Sequence, residues 1–216
     1  NAAMILAKVN NSSPIKLAEI LKKNLLLNLK EFKSIEIAEP GFLNIYFHIS
    51  FWRKYLTKVI QLDSEYGSNK ISKKKYNIEF VSANPTGPLH VGHCRGAVLG
   101  DTLANLLIFN GNKVTKEYYV NDYGGQIKNF VFSVYYRILE IIENKPFPNN
   151  KYLYSGTYII EIAKKIIKNK SIKNFNNLEK IYKKLSSESL KYSMQLIINN
   201  LNLLGIKHNK FVYESK

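Results

Sequence analysis

Apolar and polar residues change rhythm several times along the chain, and each change predicts an element. Ala2 to Val9 has the spacing of a helix and is expected to be the end of one whose start lies outside the sequence. Ser13-Pro14 then opens a second helix, with Ser as cap and Pro at the first helical position. Ile15, Ala18, Ile20, Leu21, Leu25 and Leu26 follow at near-helical intervals. Two alternating runs, Ile35 to Glu39 and Phe42 to Phe47, flank Pro40-Gly41 and predict a β-hairpin. Ser50 is expected to cap a helix from Phe51 to Leu62, and residues 64–75 read as a polar linker.

Beyond the linker the rhythm is that of an α/β unit. Tyr76 to Val81 is a short β-prone run, and residues 82–91 form a Pro/Gly loop. A helix is predicted from Gly92 to Phe109, stopped by Asn110-Gly111, and a second strand from Lys113 to Val120. Another helix starts near Gly124, and residues 130–204 look helical apart from Pro146-Phe147-Pro148. Strand, loop, helix, strand is a βαβ unit with parallel strands. The expected fold is therefore α/β: a Rossmann-like parallel-sheet nucleotide-binding domain over residues 71–216 with a helical insertion. A small α+β domain over residues 1–70 precedes it.

Composition narrows the function classes. At 45% hydrophobic and 22% charged residues, the 216-residue chain is neither disordered nor low in complexity. No apolar run approaches the ~18–20 residues of a membrane span. The lone Cys94 excludes an internal disulfide and a cysteine-based zinc cluster. The net charge of +16 comes from 32 basic residues, 29 of them Lys, against 16 acidic ones. It is uneven: residues 1–75 carry 13 basic and 6 acidic groups, 76–150 carry 6 and 6, and 151–216 carry 13 and 4. A neutral centre between basic wings suits a small-molecule site flanked by polyanion-binding surfaces. The abundance of Lys, Asn and Ile also admits a purely compositional origin.

Three places carry candidate chemistry. Ser82-Ala83-Asn84-Pro85-Thr86-Gly87-Pro88-Leu89-His90-Val91-Gly92-His93 sits at a strand-to-helix junction, where unpaired N–H groups and the helix dipole suit a nucleotide phosphate. His90 and His93, three apart, can share a face and donate to an α-phosphate as charge develops on it. Gly92 could let an adenine ring lie against backbone, while Gly96 and Gly100 could permit close helix–sheet packing. The second place is Tyr118 to Gln126, at the carboxyl end of the second strand, where ligands bind open parallel sheets. Ser82, Asn84 and Asp122 could thus converge on one pocket; Asn121-Asp122 before Gly124-Gly125 is equally ordinary turn and cap chemistry. The third is Glu79, a carboxylate in a parallel strand, suited to a bidentate grip on a guanidinium or simply solvated at a sheet edge.

The run from Ile78 to Ala97, with Gly100 to Asn105 and Tyr118 to Gln126, resembles the signature of class I arginyl-tRNA synthetases over about fifty nearly continuous residues. An HxGH alone would also fit a nucleotidylyltransferase; SANPTGP joined to NDxGxQ is more specific. Ala38 to Asn44 resembles the family's additional N-terminal domain, which contacts tRNA, and Tyr154 to Ile159 its insertion; Phe211 to Ser215 is also familiar in position. The resemblance implies activation of L-arginine by ATP with Mg2+, then transfer to tRNA(Arg), by a cytoplasmic monomer without a membrane partner. It implies ATP contacts from Pro85, Thr86, Gly87, His90, Gly92 and His93. It implies arginine contacts from Glu79, Ser82, Ala83, Asn84, His93, Asp122 and Gln126. Cys94 stands where the family has Gly, and Tyr123-Gly124-Gly125 where it has Ala-Gly-Asn. The chain is expected to be an N-terminal piece, ending before the KMSKS-type loop and inactive by itself. A silent tRNA-binding module is the non-enzymatic alternative.

Overall fold

In the computed structural model, which describes residues 1–69 and 73–215, the chain forms two compact units, Asn1–Gly67 and Ser68–Lys216. The expected boundary at 70/71 and part of the polar linker lie outside the described residues.

The first unit holds α1 (Ala2–Val9), α2 (Pro14–Asn28), the hairpin β1 (Phe32–Ala38) and β2 (Phe42–Phe47), and α3 (Ile49–Leu62). The Ser13 hydroxyl accepts from the Lys16 N–H at 3.2 Å, the cap that Ser13-Pro14 predicts. The strands are antiparallel, with Ala38 opposite Phe42. The turn between them uses Gly41 at φ +139°, a conformation costly for any side chain. α3 corrects one expectation: it begins at Ile49, its cap position is His48 rather than Ser50, and neither supplies a side-chain cap. Backbone pairing alone closes the first turn, Phe51 N–H donating to His48 C=O at 3.0 Å. Residues 63–65 form a 3₁₀ turn that straddles the start of the segment read as linker.

The second unit is built on a parallel sheet of β3 (Lys75–Glu79), β4 (Lys113–Val120) and β5 (Lys210–Tyr213), in the order β3-β4-β5. α4 (Val91–Phe109) is the crossover from β3 to β4. Three helices, α5 (Gly125–Glu143), α6 (Thr157–Asn169) and α7 (Leu178–Leu203), link β4 to β5. They surround their own core, in which Phe130, Ile138, Ile159, Ile162 and Leu185 are buried. A second core, with Phe80, Ala97, Tyr118, Val120, Ile197 and Leu201, joins α4 and α7 to the sheet. Gly100 allows the approach of α4: a Cβ there would lie 2.3 Å from Phe80 Cγ. Gly96 has no such role, for nothing lies within 4 Å of the Cβ it lacks. Lys116 of β4 ties to α4 through Asp101 at 2.6 Å and Asn105 at 2.8 Å, in a largely sheltered position.

Among the described residues β4 is the central strand and β3 an edge, and Glu79 is exposed there. β5 was not anticipated as a strand: four residues are too few for a period, and its pairing with β4 is non-local. No helix among the described residues is long and apolar enough to cross a membrane.

Candidate active site at the carboxyl edge of the sheet

β3 ends in an unusual bend. Val81 (φ +71°) and Ser82 (φ +42°) both adopt left-handed backbone, rare for any side chain and most costly for a β-branched one. Hydrogen bonds over-determine the bend. Phe80 C=O accepts from Ser82 N–H at 3.1 Å and lies 3.2 Å from His208 Nε2. The Ser82 hydroxyl accepts from Tyr119 N–H (3.0 Å) and donates to Glu79 Oε1 (2.7 Å). The buried Tyr118 hydroxyl donates to Ala83 C=O at 2.8 Å, and burial pushes its ionisation far up. Strain held by so many partners fits a pre-organised site.

The loop then runs into α4, whose first turn the two histidines close. His90 is the cap residue: its Nδ1 accepts from Gly92 N–H at 3.1 Å, and His93 Nδ1 accepts from His90 N–H at 3.3 Å. The rings stack, centroids 3.8 Å apart. Because each Nδ1 accepts, each neutral ring carries its proton on Nε2, leaving two N–H donors of the same kind side by side. Burial first, then the neighbouring His90, holds the His93 pKa below the ordinary imidazole value, which favours this neutral form. Gly92 serves His90 itself, since a Cβ would lie 3.0 Å from its Cε1.

Both rings line a cleft of about 420 Å³ with Ala83, Asn84, Thr86, Gly87, Tyr154 and Tyr158. Tyr158, on the first turn of α6, donates to Thr86 C=O at 3.0 Å, and burial raises its pKa to about 12. Its hydroxyl would sit 3.0 Å from a Cβ on Gly87, so the glycine admits this clamp. Sequence reasoning missed the clamp, although Tyr154 to Ile159 was already conspicuous as a segment.

Asn84 also borders a second cleft, of about 340 Å³, shared with Asn121, Gln126 and Glu214. Its amide donates to Gln126 Oε1 at 2.6 Å, joining the two signature stretches. With its amide nitrogen turned to Glu214, Asn121 donates to that carboxylate at 2.5 Å. α5 starts here on Gly124 at φ +93°, an orientation for which Gly is the natural choice. Glu214 is the second residue missed, visible only once β5 pairs with β4.

Asp122 departs from the expected convergence. Both carboxylate oxygens are occupied by Ser215, from its N–H at 2.9 Å and its hydroxyl at 2.6 Å. It lines neither of the clefts that Asn84 borders. It is nonetheless part of one electrostatic neighbourhood. Tyr119 has its pKa raised, first by burial and then by Glu214, Asp122 and Glu79. Cys94, beside His93, is a half-buried free thiol rather than a core one.

Comparison with known proteins gives this arrangement its place. A parallel sheet whose first strand leads through a strained loop into a histidine-capped helix is here a class I synthetase catalytic domain. Residues 55–214 match the family described as tRNA synthetases class I (R), catalytic domain, and residues 1–47 match the arginyl tRNA synthetase N terminal domain. The chain belongs to the class I arginyl-tRNA synthetase family. The arginine–tRNA ligase of Pelagibacter ubique (strain HTCC1062) is 50% identical over 100% of this chain and 38% of its own length. That of Wolbachia sp. subsp. Brugia malayi (strain TRS) is 42% identical over 99% of this chain and 37% of its own. The chain thus spans under two fifths of these relatives. Among solved structures, a Campylobacter jejuni chain named for an arginyl t-RNA synthetase superposes with TM-score 0.71 at 32% identity, over 78% of this chain and 37% of its own. Arginyl-tRNA synthetase from Plasmodium falciparum shares the fold, with TM-score 0.61 at 22% identity over 100% of this chain and 39% of its own.

Proposed function

We propose that this chain supplies the ATP and arginine crevice, and the N-terminal tRNA-contacting domain, of an arginyl-tRNA synthetase. The observation that carries the reading is the reciprocal capping of His90 and His93, which leaves two Nε2–H donors at one cleft. In the proposed reaction the arginine carboxylate attacks the α-phosphorus of MgATP, pyrophosphate leaves, and the adenylate passes its arginyl group to tRNA(Arg). Negative charge grows on the α-phosphate oxygens during attack. The two imidazoles, already oriented by backbone N–H groups, donate to that charge without reorganising. Thr86, Gly87 and Pro88 form the nucleotide side of the cleft, held by Tyr158, while Pro85 is buried next to Thr86 and does not line it, and Gly92 leaves room for the His90 ring.

On the arginine side, Ser82 and Ala83 shape the bend, and Asn84 and Gln126 offer neutral polar contacts. Glu79 and Glu214 supply the negative field a guanidinium needs. Asp122 acts through Ser215, holding the segment that carries Glu214. The basic wings face tRNA, and the protein is a cytoplasmic monomer. The test is ATP–pyrophosphate exchange by the natural gene product with each of the twenty amino acids, with and without tRNA. Exchange that depends on arginine alone among them is expected; dependence on another amino acid, or none with tRNA present, would refute the assignment.

A further inference from the structure

His208 belongs to no signature stretch, and the proposed reaction does not use it. It lies just before β5, where its neighbour Asn209 clips the chain to β4. Asn209 N–H donates to Lys116 C=O and Lys116 N–H donates to the Asn209 side-chain oxygen, each at 2.8 Å. The clip brings the imidazole against Phe80 and Tyr118, with ring centroids 4.3 Å and 5.3 Å away. Nε2 lies 3.2 Å from Phe80 C=O. A carbonyl oxygen only accepts, so Nε2 carries the proton and donates. Nδ1 is then a bare acceptor, buried and without a hydrogen-bond partner among the described residues. A second proton there would be a buried N–H with no acceptor. Burial lowers the His208 pKa although the Phe80 bond opposes it, and the ring stays neutral. A purely apolar side chain would fill the same place without an orphaned atom; what the imidazole adds is a donor aimed at the Phe80 carbonyl. That carbonyl begins the bend. It also accepts from Ser82 N–H at 3.1 Å, and Val81 and Ser82 follow in left-handed backbone. A second donor on the same oxygen fixes the peptide plane from which the strained segment departs.

We propose that His208 is a positioning residue for the arginine side of the crevice: its Nε2–H holds the Phe80 carbonyl, and with it the Val81-Ser82 bend, in the orientation that presents Ser82, Ala83 and Asn84 to the substrate. The proposal rests on the synthetase reading and adds a residue that acts through the bend without touching substrate. His90 and His93 are fixed by their own reciprocal capping, so the phosphate chemistry does not depend on it. In the natural gene product, His208→Phe keeps an aromatic ring and loses the donor, while Phe80 C=O retains its bond from Ser82. His208→Gln keeps an N–H of similar reach and loses the ring. His208→Leu, smaller and equally without a donor, repeats the comparison where the Phe ring is not accommodated. Steady-state arginylation gives the KM for arginine and for ATP, and circular dichroism gives Tm. His208→Phe should raise the KM for arginine about three- to tenfold, the worth of one hydrogen bond, with kcat and the KM for ATP within about twofold of wild type. His208→Gln should keep the wild-type KM for arginine despite a Tm no higher than that of His208→Phe. A merely structural role would order the variants the other way, with KM following Tm. A wild-type KM for arginine in His208→Phe, an equal rise in both variants, or an equal rise in the KM for ATP would overturn the positioning role alone. Absence of arginylation by the wild type would instead sink the underlying reading.

Discussion

Gly100 and Gly96 sit one helical turn apart on α4, and their Ala variants should move stability in opposite directions. At Gly96 the added methyl meets open space. The change there gains only the helical preference of Ala over Gly, about 0.5–1 kcal/mol. At Gly100 the same methyl would lie 2.3 Å from Phe80 Cγ, 2.5 Å from its Cβ and 2.7 Å from its Cδ2. Phe80 Cβ is fixed by the backbone at the entrance to the Val81-Ser82 bend, so rotating the ring cannot clear the clash; helix or strand must move. Overpacking of this kind costs about 1–3 kcal/mol, and it acts on top of the same propensity gain. The difference between the two variants isolates the overpacking cost. For a unit of this size, at about 2–4 °C per kcal/mol, it corresponds to a Tm gap of about 2–12 °C with Gly100→Ala the lower. Thermal unfolding followed by circular dichroism at 222 nm reads it directly. Equal Tm values, or Gly100→Ala the more stable, would refute the close approach of α4 to β3 and with it the packing that fixes the bend.

Tyr158→Phe removes one hydrogen bond to Thr86 while keeping the ring, so it should cost about 0.5–1.5 kcal/mol and raise the KM for ATP more than it lowers kcat. Steady-state arginylation with varied ATP checks this; an unchanged KM would deny that Tyr158 clamps the nucleotide loop. Burial holds the pKa of both His93 and His208 below the ordinary imidazole value of 6.5. Asp101 opposes that shift at His208 and Lys116 adds to it. A depressed imidazole pKa means the unfolded chain binds protons first, so their contribution is whole above about pH 6.5 and is lost as pH falls through the folded-state values. Tm should therefore fall from pH 7 to 5, and less steeply in His208→Gln; parallel wild-type and variant profiles would contradict the His208 assignment.

Much of the second unit was legible because its signals are local. The Pro/Gly loop, the β-prone run of Lys113 to Val120 and the Asn110-Gly111 stop each report on a few consecutive residues, and β3, α4 and β4 fall within one or two residues of expectation, whereas the helical stretch expected over residues 130–204 is interrupted at 144–156 and again at 170–177. The histidine pair was legible as a motif, but its tautomer was not: that depends on the N–H groups of Gly92 and His90 meeting ring nitrogens, a matter of loop conformation. What escaped was long-range. Asp122 looked like a pocket residue because the strand end suggested it, yet Ser215, ninety-three positions later, takes its carboxylate. The same distance hid Glu214, and seventy-two positions separate Tyr158 from Thr86. Ser50 failed as a cap for the opposite reason, a local signal overridden when the backbone closed the turn from His48. Gly96 and Gly100 are indistinguishable in sequence, and only the position of Phe80 tells them apart.

The account turns on the Nε2–H groups of His90 and His93, and isosteric amides test them. A Gln side chain can place its N–H near the imidazole Nε2 position, whereas Asn reaches only to Nδ1. In the natural gene product, single-turnover arginyl-adenylate formation at saturating ATP and arginine should fall about 10²–10³-fold in His93→Asn, the loss expected for one transition-state donor. His93→Gln should retain distinctly more, with tRNA affinity unchanged in both. Equal rates for the Asn and Gln variants, or wild-type rates in either, would show that these donors do not act on the phosphate.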